Sequence, residues 1–441
     1  MSSSKKAKTT LDALTFDGER YVALLAKLVG EAEKLQNSPP QGLHPREDNA
    51  SNHVLAALKP HTVEAGGPLI VERVAFTEGR GNVIIKYPGA TADSVAFVGS
   101  HLDVVPANPE TWKRNPFALT VEGDELYGRG TTDCLGHVAL MTELMIELAT
   151  KKPSLSRTVT VILIANEENG LVENIGVDQL MKTGKMDHIK AGPVVWVDCA
   201  DMHPCLGTAA SIVWHLKVKG KLFHSGLPHK GVNSLELANA ACAELQDRFY
   251  AAFPARPEEA RYKFMTCSTM KPTQIKCPAG SLNQLPPWIE VSGDIRATPF
   301  YEVSEIKAKL AEIIADMNEN ITSLKTWGPH SKYEIEGARG SLELEVVVGM
   351  EGVACSMDSE GHHALVNATA DVLGEAKTYS IGGSLPLVRD LQRGGFDIQM
   401  TGFGNMSTYH ADNEYCKLSD MEKGFRILRG VITNLEQASK K

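Results

Sequence analysis

The 441-residue chain is 43% hydrophobic and 22% charged, the proportions of a globular protein long enough for two domains or one domain with an insertion. Its 45 basic and 54 acidic residues leave a formal net charge of −9, which argues against a general nucleic-acid binder. No run of about 18 apolar residues occurs, so no membrane association through a span is expected.

The N-terminal stretch is basic, but no apolar segment follows it and Asp12, Asp17 and Glu19 come early, so neither a secretory signal nor a transit peptide is expected. The eight cysteines contain no C-x-x-C pair. In a chain this large they read as free, mostly buried thiols in a reducing compartment, which points to the cytoplasm.

Tyr21, Leu24, Leu25, Leu28, Val29 and Ala32 recur at spacings of three and four and predict an amphipathic helix over 15–36. A second helix is predicted over 47–59, then short strands over 69–74, 82–86 and 94–99. The last of these is an apolar run that opens into Ser100-His101-Leu102-Asp103. Gly123-Asp124 marks a hairpin, and Gly128-Arg129-Gly130 an irregular loop before a helix over 136–151. Residues 158–165 form a near-continuous apolar strand, as at the centre of a covered sheet, and it ends in Asn166-Glu167-Glu168. A helix over 175–184 leads to the strand 194–197, which ends in Asp198. Strand and helix in alternation predict an α/β fold, a sheet with helices on both faces.

From about 207 the pattern changes. Ile212, Trp214, Leu216 and Val218 alternate with mostly polar neighbours, as on a half-exposed antiparallel strand. Helices over 233–252 and 303–320 and strands over 286–297 and 342–348 complete a compact α+β unit. It is expected at 208–350, inserted into a discontinuous first domain of 1–207 and 351–441, where helices over 360–374, 384–394 and 420–438 follow.

The chemistry-bearing residues share a position type. His101, Asp133, Glu167, Glu168 and Asp198 fall at strand ends or in the loops after them, spaced by 32, 34 and 31 residues up to Glu167 and Asp198, about the length of a strand–helix–strand unit. That spacing sets successive loops side by side on one sheet edge, where ligands bind. So many carboxylates together repel one another unless a cation lies between them. Two divalent ions relieve that repulsion, and mixed histidine and carboxylate ligation suits zinc, with manganese or cobalt as alternatives. Of the two adjacent glutamates, one can ligate metal while the other acts as a general base. His410, in a polar loop late in the chain, offers a second imidazole.

These segments, together with Leu126-Tyr-Gly-Arg-Gly-Thr-Thr-Asp133-Cys-Leu-Gly136, Phe223-His-Ser-Gly226, Asp294-Ile-Arg296 and Gly382-Gly-Ser384, resemble the M20 family of dinuclear zinc peptidases and amidohydrolases over about 20–435. The resemblance implies a zinc-peptidase-like catalytic sheet with an inserted lid and dimerisation domain. It implies that His101 and Asp198 hold one metal, that Glu168 and His410 hold the other, and that Asp133 bridges them across a cis peptide bond to Cys134. It makes Glu167 the general base, Asp103 the residue that orients His101, and His224 a group that reaches the partner subunit's site in a homodimer. Asn283, Arg296, Gly383 and Ser384 fall where such proteins bind substrate. The likeness is strongest to members that deacetylate N2-acetyl-L-ornithine, a small N-acyl amino acid, in the supply of ornithine for arginine synthesis. Asp198 in place of a glutamate, and the Gly382-Gly-Ser384 run, are closer to the family's peptidases. They leave a dipeptidase or an N-acyl-amino-acid aminoacylase open as the alternative. Cys134 stands where many members have methionine and is not expected to ligate.

Overall fold

The apolar runs that end beside His101, Glu167 and Asp198 lie next to one another. In the computed structural model, which describes residues 11–170, 172–198, 201–328 and 330–438, the strand Ser94–Val98 pairs in parallel with Thr158–Leu163 on one side and Pro193–Val197 on the other. Asp397–Thr401 continues the parallel set beyond Pro193–Val197. Gly81–Tyr87 and Ile70–Ala75 extend the other end antiparallel. Cys199, the first ten residues and Lys440-Lys441 lie outside the described residues.

The parallel strands are buried on both faces, and this is why they read as continuous apolar runs. Helix Leu135–Lys151 packs on Gly81–Tyr87 and Thr158–Leu163, and helix Glu360–Leu373 packs on Asp397–Thr401 and Pro193–Val197. Helices Gly18–Gly30 and Leu418–Ala438 lie against Leu135–Lys151, which is buried on every side from Leu135 to Ala149. The first helix starts where the Asp17 side chain accepts the Arg20 N–H, and it stops at Gly30, short of the predicted 36; a 3₁₀ turn over Ala32–Leu35 follows.

The chain divides into two compact units: residues 1–206, 355–379 and 386–441, and residues 207–354 with 380–385. The short segment 380–385 goes with the second unit, where the Ala209 N–H donates to the carbonyls of Ile381 and Gly383. That unit is a four-stranded antiparallel sheet in the order Thr269–Lys276, Trp288–Ala297, Ala210–Lys219, Ser341–Met350. Ile212, Trp214, Leu216 and Val218 share its core with Leu237, Leu245 and Phe249 of helix Ser234–Ala252 and with Ile306, Leu310 and Ile313 of helix Val303–Glu319.

Two strands of five or more residues were not legible in the sequence. Thr269–Lys276 is an edge strand, largely exposed, with Pro272 at a register shift, so it lacks apolar alternation. Asp397–Thr401 carries Gln399 and Thr401 into the interior, and its polar residues masked it. Gln399 Nε2 donates to the Ser356 carbonyl and the Ser359 hydroxyl, which makes that burial tolerable. The helix predicted over 384–394 is shorter, Val388–Arg393.

Among the described residues no helix is long and apolar enough to cross a membrane. The described cysteines are all free; Cys134, Cys205, Cys355 and Cys416 are buried, Cys242 is partly buried, and Cys267 and Cys277 are exposed.

Candidate metal centre

The parallel strands deliver their acidic loops to one edge. Strand Ser94–Val98 turns at Gly99, whose φ of +100° and contact with the Trp196 ring leave no room for a Cβ. His101 follows, paired with Ile164 of the neighbouring strand. Glu167 and Glu168 leave that neighbour through Asn166, which adopts a left-handed φ of +60°. Asp198 leaves the next strand, its N–H donating to the Thr401 carbonyl. Asp133 arrives differently from the sequence expectation. It follows a small three-stranded sheet, separate from the main one, and stands just before helix Leu135–Lys151; its peptide bond to Cys134 is cis, as the resemblance implied.

The side chains meet in two adjoining groups. His101 Nε2 lies 2.9 Å from Asp133 Oδ1 and 3.5 Å from Asp198 Oδ1. His410 Nε2 lies 2.7 Å from Asp133 Oδ2 and 3.3 Å from Glu168 Oε2. Asp133 thus presents one oxygen to each imidazole. Glu167 Oε2 is 3.9 Å from His101 Nε2. His101, Asp133, Asp198 and Glu167 are buried, whereas the His410 side chain is half exposed.

The donor set fits cations. His101 Nδ1 is 2.9 Å from the Asp103 carbonyl, so Nδ1 carries a proton and Nε2 is the nitrogen turned toward the carboxylates of Asp133 and Asp198. Two carboxylates around that nitrogen call for a positive charge between them, from a proton on the ring or from a metal ion; against the cost of its burial, they help raise the affinity of His101 for a proton well above the usual imidazole range. Glu168 Oε1 and Asp198 Oδ1 are buried with no hydrogen-bond partner, which is costly unless something binds them. The residues His101, Asp133 and Asp198 on one side, and Asp133, Glu168 and His410 on the other, are each close enough to share an ion.

The electrostatics carry the same signature. Burial pushes the Glu168 carboxyl up to about 7, and the charge on Asp133 adds to it. Burial and then the charge on Asp198 raise Glu167 well above the carboxylate range. Burial would raise Asp133 too, but the imidazoles of His101 and His410 outweigh it and hold that carboxyl low. His410 is pushed up to about 11, because hydrogen bonds with Asp133 and Glu168 overcome its burial.

Asp103 holds the His101 ring chiefly with its main-chain carbonyl. Its carboxylate Oδ1 is 3.6 Å from His101 Nδ1, while the two oxygens accept the N–H groups of Glu167 and Glu168, each at 3.1 Å, and the Asn37 amide at 2.8 Å. The Cys134 thiol sits with His101, Asp133 and Asp198, 3.4 Å from His137 Nδ1.

The remaining candidates belong to the second unit. His224 is exposed, and its Nδ1 accepts the Gly226 N–H. The Ser225 N–H donates to the Asn283 carbonyl, so the His224 and Asn283 loops are neighbours. Arg296 Nε donates to Asp294 Oδ2 at 2.6 Å. Gly383 and Ser384 lie on the 380–385 segment.

Sequence reasoning passed over Asn37, Arg129 and Glu414. Glu414 sits only four residues after His410, yet nothing local marks it, because its partners are the backbone N–H groups of residues 130, 132 and 133.

Residues 97–434 match Peptidase family M20/M25/M40. The chain is 51% identical over 440 residues to an acetylornithine deacetylase of Arabidopsis thaliana, covering 99% of each chain. It is 50% identical over 437 residues to an acetylornithine deacetylase of Dictyostelium discoideum, covering 96% of this chain and 98% of that one. Its fold is similar to that of a dinuclear metal binding M20 peptidase from Bacillus subtilis, with a TM-score of 0.62 at 13% identity over 96% of this chain and 99% of that one.

Proposed function

Because the chain belongs to peptidase family M20/M25/M40, we propose that it hydrolyses N2-acetyl-L-ornithine to L-ornithine and acetate, with two divalent ions in the His101–His410 array. The observation that carries the substrate is the near-full-length identity of 51% to an acetylornithine deacetylase. The chemistry rests on the orphaned buried carboxylate oxygens. His101 and Asp198 would hold one ion, Glu168 and His410 the other, with Asp133 within reach of both; zinc would suit this donor set best, with cobalt or manganese as alternatives.

Ions bound there would supply a water acidic enough to lose its proton near neutral pH and a Lewis acid for the amide carbonyl. Glu167 takes that proton; burial and then the charge on Asp198 raise its proton affinity. The water oxygen adds to the amide carbon, and as the carbon–nitrogen bond breaks to leave acetate, Glu167 returns the proton to the leaving amine. Asp103 fixes the direction of the base, since it holds the Glu167 N–H. In the same reading the protein is a cytoplasmic homodimer joined through the inserted unit. The partner's His224 polarises the scissile carbonyl, and Asn283, Arg296, Gly383 and Ser384 bind the substrate.

A dipeptidase or aminoacylase is the second reading, favoured by the short arm of Asp198 where a glutamate is common. A panel of N-acetyl amino acids and dipeptides, incubated with the purified metal-loaded protein, separates the two. Fastest release of acetate from N2-acetyl-L-ornithine supports the first reading. Faster cleavage of a dipeptide, or of other N-acyl amino acids, overturns it.

A further inference from the structure

We infer that Glu414 is a positioning residue of the metal centre, whose carboxylate clamps the 129–133 loop so that Asp133 can offer one oxygen to each imidazole. The inference rests on the reading of Asp133 as the bridging ligand.

Glu414 is fully buried. One of its oxygens accepts the N–H groups of Thr132 at 2.7 Å and Asp133 at 2.9 Å. The other accepts the Gly130 N–H at 3.1 Å and Arg129 Nη1 at 2.7 Å. Its carbonyl accepts the Gly128 N–H at 3.0 Å. Three converging amides and a guanidinium need a charged acceptor with two oxygens. A glutamine would keep one acceptor and turn an NH₂ toward N–H groups already in place.

The clamp also joins two ligand-bearing segments. Glu414 is four residues from His410, and the loop it grips ends in Asp133. Thr132 reinforces the joint, its hydroxyl donating to the Tyr415 carbonyl at 2.8 Å and accepting the Asn405 N–H at 3.1 Å. Asp133 then reaches His101 at 2.9 Å and His410 at 2.7 Å, and both contacts depend on where its backbone stands.

Glu436 supplies a matched control. It too is buried and accepts backbone N–H groups, from Ser156 and Arg157, in a loop that carries no candidate ligand. The test titrates the metal-free full chain with Co(II), followed by its visible absorption, for wild type, Glu414→Gln, Glu414→Asp and Glu436→Gln. Glu414→Gln should bind Co(II) about 10- to 100-fold more weakly, as when a ligand's outer partner is removed. Glu414→Asp should recover part of that loss, and Glu436→Gln should bind like wild type while losing thermal stability. In turnover, kcat should fall in Glu414→Gln while KM holds.

If Glu414→Gln matches Glu436→Gln, with stability lost and Co(II) affinity intact, Glu414 is only a structural ion pair and the inference is wrong. Should Glu414→Gln fail to fold, Glu414→Asp carries the test. Faster hydrogen exchange at the Gly130, Thr132 and Asp133 amides with weaker Co(II) binding supports the clamp; unchanged exchange and affinity overturns it. A wild-type chain that binds no Co(II) refutes the metal reading itself, a result distinct from either.

Discussion

Replacing Asp103 with asparagine tests how Glu167, the proposed base, is held, at nearly constant shape. The carboxylate accepts three hydrogen bonds, from Asn37 Nδ2 at 2.8 Å and from the Glu167 and Glu168 N–H groups at 3.1 Å. It is fully buried, and the His101 ring helps hold its pKa down against that burial. Asparagine keeps one oxygen for those donors and aims an NH₂ at a backbone N–H. A buried donor left without an acceptor, after the loss of a charged partner, costs about 2–4 kcal/mol. Denaturant unfolding of the metal-free protein should read that loss. The loop carrying Glu167 and Glu168 should slacken with it, weakening metal binding by about 10- to 100-fold. Stepwise Co(II) titration locates the damage. If Asp103 works by gripping the Glu167–Glu168 backbone, the ion held by Glu168 and His410 suffers. If it works through the His101 ring alone, only the ion shared with Asp198 suffers. Stability within about 0.5 kcal/mol of wild type, with metal affinity unchanged, would refute the account.

Glu167→Gln should lower kcat by about 10²- to 10⁴-fold, the range of a lost general base, with metal content unchanged; near-normal turnover would remove Glu167 from that role. His224→Ala should cripple turnover, and mixing it with a His101→Ala protein should restore part of it through mixed dimers; no recovery after subunit exchange would count against action across the dimer. Chelating the metals should lower the melting temperature, because ions that bind only the folded chain stabilise it by mass action; an unchanged melting curve would show that the carboxylate array tolerates their loss. His137 is buried and held down to about 4, so the folded chain refuses a proton that the unfolded chain takes near 6.5. The contribution of His137 to stability is therefore whole above about pH 6.5 and falls by about 3 kcal/mol as the pH drops to about 4, a component of the acid loss that His137→Gln should remove in denaturation curves across that range.

The legible part of the fold was the part with strong hydrophobic contrast. Thr158–Leu163 and Pro193–Val197 are buried on both faces, and nothing polar interrupts them. The helix Leu135–Lys151 could be read from its length and the glycines before it, although it is buried all round. Asp397–Thr401 fails the same test for a reason visible only in three dimensions. Its Gln399 is buried because Ser356 and Ser359, some forty residues upstream, supply acceptors for its amide. A sequence window around 399 contains neither partner. That strand matters to the site, since it pairs with the strand that ends in Asp198 and precedes the loop carrying His410.

The site divides along the same line. The candidate ligands and the candidate base stood out, because acidic groups following buried strands are costly and need a reason. The residues that hold them did not, because a carboxylate that grips backbone amides looks the same in sequence as one in a solvated loop. Glu414 follows Asp412 and Asn413 in a polar stretch, yet it is buried with Arg129 and accepts three loop N–H groups. The resemblance implied Asp103 as the residue that orients His101, but it could not show that the carboxylate turns to the Glu167 and Glu168 amides. The two cases have one physical basis. A ligand set that must meet cations within a few tenths of an ångström needs its backbone fixed, and buried backbone N–H groups are fixed most firmly by charged acceptors. Asp103 does this for the loop bearing Glu167 and Glu168, and Glu414 does it for the loop bearing Asp133. Loss of either carboxylate should therefore reach the metals through main chain, with every ligand side chain still in the sequence.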